Sequence, residues 1–383
     1  MEHNKLIFSK VPTLRFAEYT DEWHIYALSD FVTRITRRNK NNESSLPLTI
    51  SAQYGLVDQI TFFNKTVASV DLSGYYLLYN GDFAYNKSYS NDYAWGAVKR
   101  LDKYEKGCLS SLYFVFRPTD KVDSDYLTHY FETNKWHKGI SDIAGEGARN
   151  HGLLNMAVDD YFATKHYLPS LSEQKKIACF LNLITKRIEI QNKIISKYET
   201  LIKGLSYYII KKFNGKAYKL GTLAEIYQPQ TITKTDLPDN GKYPVYGANG
   251  IIGFYDRFNH KESQIMITCR GSTCGTVNLS TPYSWITGNS MVINIDEHTS
   301  IVDKKYLYYY LKTQSFNDLI SGSGQPQIVR KPLVNLNVFL PEISQQIKLR
   351  EIIDTFEKTL KNEKEMLSAL QKQKAFLLQS MFI

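Results

Sequence analysis

A heptad seam that occurs twice constrains this chain more than any other feature. Ile177, Leu181, Ile184, Ile188, Gln191, Ile195, Tyr198, Ile202, Leu205 and Ile209 advance in alternating steps of four and three. That spacing holds one apolar stripe on one face of a helix and demands a second helix to cover it. Leu349, Ile353, Phe356, Leu360, Glu363, Leu367, Leu370, Lys374, Leu377 and Met381 repeat the same steps, each 172 residues after its counterpart. The lead-ins repeat as well: Leu168-Pro169-Ser170-Leu171-Ser172-Glu173-Gln174 returns as Leu340-Pro341-Glu342-Ile343-Ser344-Gln345-Gln346. In both, Pro precedes a Ser able to cap the new helix, with Glu or Gln beside it. Each seam is interrupted by a polar residue at the same point, Gln191 and Glu363. Polar groups on a seam set register or partner at a cost in stability. Two readings stand for them: the pair shares a layer where the two helices meet, or the seam opens there or faces a partner.

A period near 170 residues is far beyond any solenoid repeat and marks duplication of a large unit. Other landmarks recur in step. Tyr126-Leu127-Thr128-His129-Tyr130-Phe131 returns as Tyr306-Leu307-Tyr308-Tyr309-Tyr310-Leu311, at an offset of 180; Gly145-Glu146-Gly147-Ala148-Arg149 returns as Gly322-Ser323-Gly324-Gln325-Pro326, at 177. Near the unit starts, Leu28-Ser29-Asp30-Phe31 is echoed by Leu220-Gly221-Thr222-Leu223, at 192. Between landmarks the two units diverge. In the first, Tyr75–Tyr85 reads as strand, Asn80-Gly81 turn, strand, and Leu109–Phe116 as one further buried strand. In the second, Gln264–Cys269, a Gly-rich turn and Thr276-Val277 read as a hairpin, with another strand over Ser290–Ile295. The expected fold class is α+β: two mixed globular domains and two long helices.

Composition adds bounds. At 383 residues, with 43% hydrophobic and 13% aromatic side chains, the chain has ample material for packed cores, which excludes wholesale disorder. No apolar run approaches the ~18 residues a membrane span needs, and the N-terminus lacks the plan of a signal peptide. Four scattered cysteines make no disulfide framework. The expectation is a cytoplasmic protein without a membrane partner. Lys and Arg exceed Asp and Glu by nine, but residues 173–212 and 343–383 hold almost all of that excess. Net charge therefore does not locate a nucleic-acid surface. The chain has no Asn-Pro-Pro-Tyr or Asp-Pro-Pro-Tyr tetrapeptide and no G-x-x-x-x-G-K-[ST] phosphate loop. Gly271-Ser272-Thr273-Cys274-Gly275 has the glycines of such a loop without its lysine and reads as a structural turn. Cys269 and Cys274 lack the second pair a zinc site needs. Asp239, Asp303 and Lys305 lack the strand context of a nuclease triad.

In this arrangement the chain resembles the specificity subunit of type I restriction-modification systems. The resemblance covers essentially the whole chain. It is carried by Val11-Pro12-Thr13-Leu14-Arg15-Phe16 and Asp21-Glu22-Trp23, by the two Leu-Pro…Gln helices, and by Gly322-Ser323-Gly324-Gln325-Pro326-Gln327-Ile328. Two longer blocks, Tyr93–Leu101 and Tyr246–Gly253, look like known variable-region types. The resemblance implies an arm over residues 1–20, a target-recognition domain over 21–167, a central helix over 168–213, a second target-recognition domain over 214–339 and a C-terminal helix over 340–383. It implies that the two long helices pair as an antiparallel coiled coil. It implies a non-catalytic chain that reads a bipartite, asymmetric target in double-stranded DNA, one half per domain. It also implies partners: two methyltransferase subunits and the restriction subunits, which would bring S-adenosylmethionine, ATP and Mg. No cofactor is expected in this chain. The rival class is an interaction scaffold that never touches DNA; a solitary DNA enzyme with unrecognised catalytic residues is a second.

Base edges are read by Arg, Lys, Asn and Gln, and phosphates attract Lys, Arg and hydroxyls. On that chemistry the candidates in the first unit are Arg34, Arg37, Arg38 and Lys40 as a basic loop, Lys87, Tyr89 and Tyr93 after the Asn-Gly turn, and Arg149. In the second they are Asn249, Arg257, Arg270 and Asn289 beside glycines or turns, and Gln325, Gln327, Arg330 and Lys331 in the Gly-rich loop before the helix. For each single residue the competing reading is an ordinary exposed polar side chain; the sets carry more weight than their members.

Overall fold

A computed structural model of the chain describes residues 10–65, 67–90, 93–145, 152–212, 215–322 and 324–383. Two long helices organise it, a central one over Leu171–Lys212 and a C-terminal one over Ile343–Ser380. The chain divides into two compact units. The first comprises the described residues up to Gln191 together with Met366–Ile383, and the second comprises Asn192–Glu365. Each unit thus holds one globular domain, half of the central helix and half of the C-terminal helix.

In unit one, Ile177, Leu181 and Ile184 of the central helix share a core with Leu377, Met381 and Phe382. In unit two, Ile210 shares a core with Leu349 and Ile353, and Glu199 meets Lys364 at 2.6 Å. Within each unit the later positions of one helix therefore meet the earlier positions of the other, which is antiparallel pairing. The seam positions whose side chains are described are all buried or half-buried, from Leu181 and Ile353 in the cores to Ile188, Ile195, Phe356, Leu360 and Leu367 along the length. Gln191 is buried in unit one and Glu363 is half-buried in unit two. Lys374, a charged seam residue, pairs with Glu132 at 2.8 Å and so ties the C-terminal helix to the globular part of unit one. Burial alone would raise the Glu132 carboxyl, but His129 and Lys374 hold it down to about 2. Ser170 caps the central helix by accepting from the Glu173 amide. The second helix corrects the parallel: it starts at Ile343, so Ser344 lies inside its first turn and cannot be its cap.

The globular part of unit one has a four-stranded sheet in the order Val32–Arg34, Phe114–Pro118, Phe83–Asn86, Ala97–Arg100, all neighbours antiparallel. Its inner face is aromatic: Phe83, Tyr85 and Phe116 are fully buried with Tyr126, Tyr130 and Tyr161, and Tyr85 stacks on Tyr161 with ring centroids 4.7 Å apart. Unit two builds on Glu225–Tyr227, Ser290–Asn294, Ile265–Thr268 and Val277–Leu279, flanked by a three-stranded sheet that includes the Tyr243–Gly247/Gly250–Tyr255 hairpin. Two strand expectations need correction. The Asn80-Gly81 turn forms, yet Tyr76–Tyr79 and Phe83–Asn86 enter different sheets, because the first pairs with Lys106–Leu109 and the second with its own neighbours. The apolar run at 109–116 is broken into two strands by a turn closed from the Tyr113 amide to the Ser110 carbonyl.

Both units close the same way. His24–Ala27 pairs antiparallel with Lys165–Leu168, the strand that leads into the central helix. Lys216–Lys219 pairs antiparallel with Asn337–Leu340, the strand that leads into the C-terminal helix. A buried glutamine then locks each domain to its helix. Gln174 Nε2 donates to the Pro169 carbonyl while its Oε1 accepts from the Asp123 amide at 2.8 Å. Gln346 Nε2 donates to the Pro341 and Ile301 carbonyls while its Oε1 accepts from the Asp303 amide at 3.0 Å. Asp123 and Asp303 are themselves the caps of the short helices Ser124–Tyr130 and Lys304–Lys312.

A second contact stands at equivalent positions with different chemistry. In unit one, Asn182 Nδ2 donates to Asp125 and its Oδ1 lies 2.8 Å from His129 Nε2, which places a proton on that ring nitrogen. In unit two, the matching position is Asp354, which pairs with Lys305 and accepts from the Tyr309 hydroxyl, both at 2.6 Å. Burial, with Asp354 and Glu357 alongside, pushes the Tyr309 phenol far above its ordinary value, so it stays a donor. Asn182→Asp would set a second carboxylate against Asp125. The expected outcome in thermal unfolding is a loss of about 1 kcal/mol in unit one, larger at low salt, while Asp354→Asn weakens unit two instead.

His166 supplies a pH test of the fold. It is buried between the Tyr130 hydroxyl at Nδ1 and the Thr164 hydroxyl at Nε2, each at 2.8 Å, and burial pushes it down to about 4. Between the ordinary value of 6.5 and about 4, the unfolded chain binds a proton that the folded one does not. Stability is therefore full above pH 6.5 and falls with falling pH through that window, by about 3 kcal/mol in all. His166→Gln removes that part of the slope in a pH series of denaturant melts, whatever it does to stability at pH 7.

Candidate nucleic-acid interface

In unit one the basic run from Arg34 to Lys40 divides into two kinds of side chain. Asp82 is fully buried and accepts from Arg37 Nη2 at 2.9 Å and Arg117 Nε at 2.6 Å. Arg37 also donates to the Leu77 carbonyl and lies over the Tyr79 ring. Arg38 donates to the Gly74 carbonyl and lies over the Tyr76 ring. These two are spent on the fold, because moving either would strip a partner from a buried acceptor or an aromatic face. Arg34, at the end of its strand, and Lys40 are exposed and carry no ion pair among the described residues. Lys87 is half-buried with its ammonium 4.8 Å from the Phe114 ring centre; Tyr89 is exposed and Tyr93 half-buried. Arg149 lies outside the described residues. Sequence reasoning missed Asp82 and Arg117, and no local signal marks either: their link depends on strands that pair only in the folded sheet.

In unit two the structure gathers several of the chosen residues. Four turns converge: the hairpin tip at Ala248-Asn249, the turn Arg270–Gly275, the turn Thr287–Asn289, and the loop residues 321–322 and 324–328. Thr268 Oγ1 donates to the Ala248 carbonyl at 2.7 Å, and Thr273 Oγ1 donates to Asn249 Oδ1 at 2.5 Å. The Cys269 amide donates to the Asn289 carbonyl at 2.9 Å. The Gly271 amide donates to the Pro326 carbonyl and the Ile328 amide to the Cys269 carbonyl, both at 3.0 Å. Gln327 and Ser321 exchange both backbone bonds at 2.8 Å. Gly271 has φ +88° and open space where a Cβ would stand, so the turn leaves its backbone bare. Asn249, Arg270, Gln325 and Gln327 are exposed around this junction and Asn289 is half-buried beside it. Arg330 and Lys331 start the next short helix, with Arg330 Nε donating to the Ile226 carbonyl; Arg257 is exposed beyond the hairpin. Fixed backbone, amide-rich and hydroxyl-rich side chains and little charge make a surface suited to hydrogen-bond readout.

Among the described residues no cluster of His, Cys, Asp and Glu could hold a metal ion, and no helix is long and apolar enough to cross a membrane. Residues 214–372 match the family model described as the type I restriction modification DNA specificity domain. The chain is 27% identical over 152 residues to the type I restriction enzyme EcoprrI specificity subunit of Escherichia coli, which is 39% of this chain and 37% of that protein. It is 26% identical over 153 residues to the type I restriction enzyme MjaVIII specificity subunit of Methanocaldococcus jannaschii, 37% of this chain and 35% of that one. The chain thus spans about a third of the length of these curated relatives. The fold is similar over nearly the whole chain to the crystal structure of the type I restriction-modification system S subunit from M. genitalium. The TM-score is 0.59 at 17% identity, covering 97% of this chain and 99% of that one.

The division of the basic run is testable by stability alone. Asp82→Ala removes the acceptor shared by Arg37 and Arg117 and is expected to cost about 2–3 kcal/mol, discounted for the partial exposure of both arginines. Arg34→Ala and Lys40→Ala are expected to stay within about 0.5 kcal/mol of the parent in the same denaturant melts.

Proposed function

We propose that the chain is a specificity subunit of a type I restriction-modification system, as the match of residues 214–372 and the likeness to such subunits support, and that it reads a bipartite, asymmetric target in double-stranded DNA. Each unit reads one half, and the paired helices set the spacer. The observation that carries this reading is the lock at Gln174 and Gln346, which repeats across two domains whose loops have little in common. Recognition surfaces must differ when the half-sites differ, whereas the frame that holds them must not.

The chain itself performs no chemistry. Methyltransferase subunits, two of them, dock on the helical frame, and restriction subunits complete the nuclease; S-adenosylmethionine, ATP and Mg act in those partners. The helices support docking. Beyond the buried seam, Leu183, Ile190, Leu201, Tyr208, Ile352, Met366 and Phe376 keep large apolar side chains exposed, apolar surface that a docked partner would cover. The working compartment is the cytoplasm, where such partners and DNA meet.

The test is to co-express the chain with its genomic neighbours and map adenine methylation across a plasmid library. A split site is expected; random or absent methylation, or activity from the purified chain alone, would overturn the reading. An insertion sharpens it. The central helix has 42 residues, about 60 Å. Four residues inserted between Ser196 and Leu205 lengthen it by ~6 Å, which allows the half-sites to separate by at most ~2 base pairs. The inserted residues also rotate the C-terminal remainder of the helix by ~40° and disturb the seam, so some activity is lost. Both half-sites keep their bases. An unchanged spacer, or new half-site bases, would show that the helices are not the ruler.

A further inference from the structure

The junction of unit two contains a small ribbon with a direction. Residues 269–271 and 326–328 run antiparallel, and the bonds from Gly271 to Pro326 and from Ile328 to Cys269 flank the bridge between Arg270 and Gln327. Arg270 and Gln327 therefore form a non-hydrogen-bonded pair, the kind whose side chains stand closest. Cys269 and Ile328, their neighbours, are buried at 1% and 2%. By the alternation of extended backbone, Arg270 and Gln327 both point outward, on one face.

Charge around the pair is unusual. The four converging segments, residues 247–250, 268–275, 286–290 and the described part of the last loop (321–322 and 324–328), contain no Asp, Glu or Lys, and Arg270 is their single charged residue. No described carboxylate pairs with Arg270, although ion pairs are common elsewhere in the chain. A surface built for phosphates would be rich in lysine. A lone arginine among amides and hydroxyls, on a ribbon anchored by buried neighbours, has the chemistry of base readout: Arg is bidentate to the O6 and N7 of guanine, Gln to the N6 and N7 of adenine.

We propose that Arg270 reads a guanine and Gln327 an adjacent base, in the major groove, within the half-site read by unit two. The proposal rests on the DNA-reading function above and adds residues and a base to it. A two-stranded ribbon fits the major groove. The roughly 5 Å between Cβ atoms of such a pair lets the two side chains reach neighbouring base pairs, which rise about 3.4 Å. Their order is fixed because the ribbon cannot slide: the Gln327–Ser321 bonds hold it from the other side.

The experiment uses the complex made by co-expression with the genomic neighbours. Methylation mapping gives the wild-type site, and equilibrium binding is then measured on duplexes in which each base pair of that site is varied. For Arg270→Ala, discrimination at one G·C pair of a single half-site is expected to fall on the order of 10–100-fold, while every other position keeps its preference. Gln327→Ala should relax the adjacent pair. Arg270→Lys keeps the charge without the fork and should not restore the guanine preference. A uniform loss over all sequences with a salt slope reduced by about one, rescued by Arg270→Lys, would make Arg270 a phosphate contact and overturn the proposal. Unchanged specificity in both alanine variants would overturn it as well. Both side chains are exposed, and the half-site read by unit one serves as an internal control of folding. A wild-type complex that recognises no site would sink the DNA-reading function itself, and so is distinguishable from failure of the ribbon alone.

Discussion

Two buried amides, Gln174 and Gln346, stand where everything else in each unit must meet. Each sits one turn into a long helix, at 1% and 0% exposure, and each joins the strand that feeds the helix to the cap of a short helix in the globular domain. Buried amides are costly unless satisfied, and both are satisfied on the oxygen and the nitrogen. The consequence is geometric. Once the glutamine is placed, the Leu-Pro turn, the helix axis and the cap of the short helix share one fixed point, so the domain cannot pivot on its helix without abandoning at least two hydrogen bonds.

The same duplication explains how two similar frames avoid confusion. Near the glutamine lock, unit one sets Asn182 between Asp125 and His129, and unit two sets Asp354 between Lys305 and Tyr309. Were the helices exchanged, Asp354 would face Asp125 and repel it. Backbone geometry is shared while side-chain chemistry is private. A duplicated chain needs both properties, because shared geometry permits either pairing and only the private contact selects one.

The surfaces that diverge are built on turns rather than on helices. In unit one, Arg37, which looks available in the sequence, is drawn inward together with Arg117, since a fully buried Asp82 requires two cations to neutralise and bond it. In unit two, glycines at the turns allow three segments to meet backbone to backbone while the Thr268 and Thr273 hydroxyls tie in the hairpin tip, and the polar side chains are left facing out with few internal partners. The difference between an arginine that braces a sheet and one that reads a ligand lies in where the nearest carboxylate is, and residue type alone does not carry that information.

What the sequence determined by itself is the periodic part. The seam positions, their 172-residue repeat, the two long helices and the hairpin after Ile265 all follow from spacing and turn residues, which act over a few neighbours along the chain. The Asn80-Gly81 turn was legible for the same reason, but its hairpin was not, because turn chemistry bends the chain without choosing which strands pair across it. The role of Gln174 and Gln346 was half legible: the lead-in motif repeats in the sequence, yet nothing local says that the amides reach Asp123 and Asp303. Likewise Arg270, Asn249, Asn289 and Gln327 could be picked by type, but only the tertiary structure brought these four together and paired Arg270 with Gln327. Hydrogen bonds and ion pairs between distant segments are settled by the packing of the whole unit, where burial makes an unsatisfied partner expensive, and that cost has no signature in a run of neighbouring residues.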